Sequence, residues 1–295
     1  MNNINPNNEE EEDDDDDLFY FSLTPPPPTR PTETIILLHG LLSSHLEWAH
    51  VTPHLLDSSR SATSYHILLV DLPGHSASGL LTSPPYTIPR MADRVASIIR
   101  SHALNGKAHV VGLSMGGFVT LDLARRYPGL CHSAFVTGAA PFQGLFAFVA
   151  RRPWLVYAFM FVTEKIPDGI FWWLLGRNGM RRMDELRVQM GCNRRWEVVR
   201  DVYGSVLSCL GWAEVKEIKE VRTLCVAAGK QDDMAATRQV GEVWKDEGIT
   251  ERLGSRAVVV RKAVHAWDLQ FPELFARGIR AWVEDRELPW EFEEL

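Results

Sequence analysis

Gly112-Leu113-Ser114-Met115-Gly116 is the segment of this chain best equipped for chemistry. The apolar run Ala108-His109-Val110-Val111 before it suits a buried strand. Met115 to Arg126 after it is apolar at helical spacing through Phe118, Leu121 and Leu123. Strand, sharp turn and helix would hold the Ser114 hydroxyl exposed in a strained turn, with the positive end of the helix facing any oxyanion formed there. Glycine is needed on both sides because side chains there would collide with the neighbouring strand and helix. Such a serine attacks a carbonyl. It then needs a base, an acid that orients the base, and two donors for the oxyanion.

The spacing offers candidates for each. Thr223 to Ala228 reads as a buried strand that breaks at Gly229 into Lys230-Gln231-Asp232-Asp233. A carboxylate just past the C-terminal end of a parallel strand lies on the edge where such sheets carry their sites. Asp232 is the favoured acid and Asp233 the alternative, since either could instead have a purely conformational job in the turn. Thr137-Gly138-Ala139-Ala140, after the preceding strand, offers no carboxylate and so supports the later position. Ala257 to Val260 is a further strand, and His265 follows it at the start of a helical segment. His265 is the candidate general base, although a histidine at such a junction also serves as a plain cap. The oxyanion donors are expected to be the backbone N–H groups of Met115 and of Leu41. Leu41 stands where the strand Thr34–Leu38 ends in His39-Gly40-Leu41. His39 is expected to fix that loop by a side-chain hydrogen bond.

These segments, with Asp71-Leu72-Pro73-Gly74-His75-Ser76-Ala77-Ser78 and Val264-His265-Ala266-Trp267, make the chain resemble the α/β-hydrolase superfamily over roughly residues 33 to 285. The resemblance implies an α/β fold with a mostly parallel, doubly wound sheet and a helical cap inserted between the sixth and seventh strands. The core would comprise 31–140 and 221–295, the cap 141–220. Two positions depart from the family pattern: Ser76 stands where a second glycine is usual, and no proline follows Asp232. A serine in the elbow argues against the dehalogenases and epoxide hydrolases, which use aspartate there. Ala266 after the histidine argues against the hydroxynitrile lyases, which carry lysine. The expectation is a serine esterase acting on a small to medium hydrophobic ester, with no metal and no organic cofactor. Thioester hydrolysis, acyl transfer and carbon–carbon bond hydrolysis are alternatives on the same residues. A receptor-like hydrolase with slow turnover is the alternative of another class.

Strand-like and helix-like runs alternate along most of the 295 residues, with helical stretches near 91–102, 115–126, 236–248 and 269–285. The alternation fails between Pro141 and about Glu220. There the chain is rich in Phe, Trp and Tyr and carries the basic residues Arg151, Arg152, Arg177, Arg181 and Arg182. Its aromatics could glue cap helices to the core, line an apolar pocket, or rest on a membrane surface; the arginines could receive a large acyl carrier. The uncharged stretch Trp154–Thr163 is too short to span a bilayer, so stable membrane insertion is not expected.

Composition excludes other classes. The net charge of −7 comes from Glu9 to Asp17, which hold nine acids; the rest carries 29 acids against 31 Lys and Arg. No basic stripe suggests nucleic acid. Residues 1–30, acidic and then proline-rich, are expected to be a disordered tail, with Leu18 to Leu23 a possible short edge strand. They lack the basic start and apolar stretch of a secretory signal. The four cysteines are widely spaced and read as free thiols, which points to the cytoplasm.

Overall fold

Runs such as Tyr65–Val70 and Ala108–Leu113 have no polar face to turn towards water, so they are strands covered on both sides. The computed structural model describes residues 18–25, 31–57 and 63–295. Of the expected disordered tail, residues 1–17 and 26–30 lie outside the described residues. The chain builds β1 (Tyr20–Leu23), β2 (Glu33–Leu38), α1 (Thr52–Leu56), β3 (Tyr65–Val70), α2 (Ser78–Leu81), α3 (Ile88–His102), β4 (Ala108–Leu113), α4 (Met115–Arg126) and β5 (Cys131–Thr137). Six helices follow without a strand: α5 (Gly144–Ala150), α6 (Pro153–Glu164), α7 (Asp168–Gly176), α8 (Asp184–Cys192), α9 (Trp196–Cys209) and α10 (Trp212–Glu217). The alternation then resumes with β6 (Thr223–Ala228), α11 (Met234–Asp246), α12 (Ile249–Leu253), β7 (Arg256–Val260), α13 (Trp267–Gln270), α14 (Pro272–Val283) and β8 (Glu293–Glu294).

The sheet order is β1-β3-β2-β4-β5-β6-β7-β8. β2 to β7 run parallel, and β1 and β8 close the two edges antiparallel. Because side chains alternate along a strand, Ile36 and Leu38 face α3, α4 and α11, while Ile35 and Leu37 face α1, α13 and α14. This is the expected doubly wound architecture. The expected edge strand is present as β1, paired with β3 from Tyr20↔Val70 to Leu23↔Ile67.

One expectation needs correction. Among the described strands the inserted helices lie between the fifth and the sixth, not between the sixth and seventh. The count shifts because a single strand, β1, precedes β2 there, and it pairs directly with β3 at the edge. The insert is also uneven. α9 docks on the body: its Val198, Val202 and Val206 are buried against α3, Ser205 Oγ accepts from Ile88 N–H at 3.0 Å, and Asp201 from Tyr86 N–H at 2.9 Å. By contrast, no residue of α6 is buried, and in α7 only Trp172 is.

Candidate active site

Ser114 joins β4 to α4 with φ 54° and ψ −115°, a sparsely populated backbone conformation that costs a non-glycine residue on the order of 1–3 kcal/mol. The turn holds because its neighbours are pinned. Ser114 N–H donates to Thr137 O at 2.8 Å, and Gly116 N–H donates to His39 O at 3.1 Å. The glycines are there for space. A Cβ on Gly116 would run into the Leu38 carbonyl, and one on Gly112 would run into the Gly116 carbonyl. Strand, turn and helix are as the sequence suggested.

The loop after β2 is held at almost every donor. Gly40 N–H donates to Glu47 Oε2 at 2.8 Å, Leu42 N–H to His75 Nε2 at 3.1 Å, and Ser43 N–H to Gly40 O at 3.1 Å. His39, expected to fix this loop, does so from both ring nitrogens. Nδ1 donates to Gly40 O at 2.8 Å and Nε2 accepts Leu72 N–H at 2.9 Å. Burial pushes His39 down to about 4 and His75 to about 3, so both are neutral and keep these tautomers. Among the described residues, the N–H groups of Leu41 and Met115 donate to no protein acceptor, while those of Gly40, Leu42, Ser114 and Gly116 all do. A Cβ built on Gly40 would lie 3.6 Å from Ser114 Cβ, so the loop borders the serine.

The two acids of the β6 turn separate cleanly. Asp232 Oδ1 lies 2.6 Å from His265 Nδ1, and its Oδ2 accepts Ala228 N–H at 2.7 Å. Asp233 instead caps α11, accepting Ala236 N–H at 2.9 Å. The His265 backbone is anchored by N–H donation to Gln231 Oε1 at 2.7 Å. Burial opposes charge on the imidazole, but the hydrogen bond and charge of Asp232, helped by Glu47, outweigh it and raise His265 above the ordinary 6.5. Ser114, Asp232 and His265 open onto one cavity of about 560 Å³ with walls that include Phe118, Phe142, Leu145, Val156, Phe159 and Tyr203. Among the described residues, no group of three or more His, Cys, Asp or Glu could hold a metal ion.

Four supporting residues were not foreseen. Gly138, at φ +65°, is where the imidazole packs: a Cβ there would sit 2.6 Å from His265 Cε1. Its signal was the glycine ending β5, read only for its lack of a carboxylate. Glu47, buried beside the loop, is raised to about 7 by burial, against the Gly40 hydrogen bond. Asn193, at the end of α8, donates to Leu42 O at 3.0 Å and Ser43 O at 2.8 Å, and accepts Ser76 N–H at 2.7 Å. Ser76, at φ 44°, takes the left-handed turn usual for glycine, and its hydroxyl donates to Gln189 Oε1 at 3.1 Å. Nothing in the sequence marked Glu47 or Asn193.

A serine in a strained turn and an imidazole–carboxylate pair meet at one apolar cavity, an arrangement that can serve acyl transfer. A family model described as alpha/beta hydrolase fold matches residues 33–265. An AB hydrolase superfamily protein of Gibberella zeae is 29% identical over 267 residues, covering 89% of this chain and 84% of its own. A pimeloyl-(acyl-carrier protein) methyl ester esterase of Aeromonas hydrophila is 32% identical over 120 residues, 41% of each chain. The crystal structure of the enol-lactonase from Burkholderia xenovorans superposes with a TM-score of 0.62 at 17% identity, over 90% of this chain and 96% of that one. Geometry, family model and relatives agree, and the chain belongs to the alpha/beta hydrolase fold family as a hydrolase.

Proposed function

We propose that this hydrolase cleaves carboxylic esters of small to medium hydrophobic substrates through an acyl-enzyme on Ser114. One observation carries the reading: a strained serine and a histidine already paired with a carboxylate meet at the same apolar cavity. His265 gives its Nδ1 proton to the hydrogen bond with Asp232, which leaves Nε2 free as the base. Nε2 takes the Ser114 proton as Oγ attacks the ester carbonyl. The carbonyl oxygen becomes an oxyanion held by the Leu41 and Met115 N–H groups. Asp232 steadies the imidazolium, which then protonates the leaving alcohol. Water, deprotonated by the same Nε2, releases the acid and restores Ser114. The insert over 141–220 acts as a cap: Leu145, Val156 and Phe159 supply apolar wall that fits an acyl or alkyl group.

Hydrolysis of p-nitrophenyl esters from acetate to decanoate tests this. Turnover should vary with chain length and fall by at least about 10³-fold in Ser114→Ala. A folded protein that turns over no ester, or a Ser114→Ala variant as active as wild type, would remove the proposal.

A further inference from the structure

An apolar helix is normally the most buried element of a protein, because water penalises its surface. In this chain the order is reversed. α6 reads PWLVYAFMFVTE, apolar on every side up to its last two residues, and none of its residues is buried. Trp154, Phe159 and Val162 are 58%, 69% and 63% exposed, and Trp173 of α7 is 60% exposed. Arg187 ties the two helices together: its guanidinium donates to the carbonyls of Thr163 and Glu164 at the end of α6 and of Ile166 in the linker, and lies 3.8 Å from the Phe171 ring of α7. Exposed apolar surface of this kind marks a partner.

Charge identifies the partner. Residues 141–183 contain six Arg and Lys against two acids. Three of the cations sit over exposed aromatic rings: Arg152 over Phe148 at 3.9 Å, Lys165 over Phe161 at 5.1 Å, and Arg177 over Trp173 at 5.2 Å. Aromatic rings that reach the hydrocarbon boundary, with cations beside them at headgroup level, suit an anionic phospholipid surface. No single described helix is long and apolar enough to cross a membrane; α5 and α6 reach that length and apolarity only together, as a pair bent by 85°.

We infer that α6 and α7 dock this protein on the surface of an anionic phospholipid membrane. Leu145, Val156 and Phe159 of α5 and α6 line the cavity, and Leu145 and Phe159 are at the same time largely exposed, so the docked surface borders the pocket. An apolar ester dissolved in the bilayer would then enter without crossing bulk water. The docking itself is independent of the chemistry assigned to Ser114.

The test is co-sedimentation of the full chain with vesicles of phosphatidylcholine alone or mixed with phosphatidylserine, alongside sedimentation velocity without lipid. Wild type and Ser114→Ala should both bind the mixed vesicles, at least about tenfold more tightly than the neutral ones, and less tightly as salt rises. Trp154→Ser/Trp173→Ser should weaken binding about tenfold while the thermal melt and the hydrolysis of a soluble ester stay unchanged. Arg151→Glu/Arg152→Glu/Arg177→Glu should abolish the preference for phosphatidylserine. Failure of wild type to bind either vesicle overturns the inference. So does undiminished binding by both variants, or self-association through Trp154 and Trp173 in place of lipid binding.

Discussion

Asp232 and Asp233 stand side by side in the sequence, yet they face different partners. Asp232 meets the imidazole and Asp233 caps a helix, so their substitutions should separate. Asp232→Asn should lower kcat by about 10⁴-fold, because the amide no longer holds the productive tautomer. Asp233→Ala should cost about 1 kcal/mol of stability, seen in the denaturant midpoint, with turnover within about twofold. Acid sensitivity follows from His265. Its neutral form is the base and Asp232 raises it above 6.5, so kcat/KM should fall with decreasing pH through an inflection above 6.5. An acid limb below that value would show that the pairing is absent from the working enzyme. The sequence exposed Ser114, His265 and the acidic pair, since each follows a readable strand. It favoured Asp232 but left Asp233 open, because the choice depends on how the turn after β6 aims two adjacent side chains.

The loop after β2 is held from three elements, and each hold predicts a cost. Glu47→Ala would leave the buried Gly40 N–H without its acceptor, costing about 1–3 kcal/mol in stability and lowering kcat as Leu41 loses its aim. Glu47→Gln keeps an acceptor oxygen but removes the charge, so kcat should recover while the acid limb of kcat/KM moves to lower pH. At the end of β5, Gly138→Ala adds a methyl against the His265 ring at a positive φ. It should lower kcat about 10²-fold by displacing the base, with Ser114 and the cavity in place. An unchanged kcat in that variant would mean the imidazole has room to spare. Such contacts were illegible in the sequence for a simple reason. Gly138 matters only because a histidine from a distant segment packs on it, and Asn193 only because α8 ends beside the loop and Ser76. No local spacing encodes either meeting.

Across the whole molecule, the parallel sheet was the most legible feature. Its parallel strands are short, mostly apolar and buried runs, and α3, α11 and α14 carry one apolar face. The insert was the least legible, because apolar helices read the same whether buried in a core or presented outward. Burial also gives the fold a pH dependence. His39 and His109 are pushed down to about 4 and His75 to about 3. Between pH 6.5 and about 4 the unfolded chain binds protons that these three histidines refuse in the native state, so stability falls as pH falls. The loss is about 1.4 kcal/mol per pKa unit per histidine, partly offset by Glu47 and Asp268, which burial raises and which take up protons early in the folded state. Urea midpoints measured from pH 7 down to 4.5 should therefore decline. A flat profile would mean that these histidines titrate freely.

The most direct measurement is the intact mass of the full chain after exposure to a fluorophosphonate, with peptide mapping of the adduct. A strained serine beside a paired histidine should give one adduct, on the peptide carrying Ser114. The adduct should be absent in Ser114→Ala and form at least about 10²-fold more slowly in His265→Ala. An adduct on another residue, or none on folded wild type, would contradict Ser114 as the nucleophile.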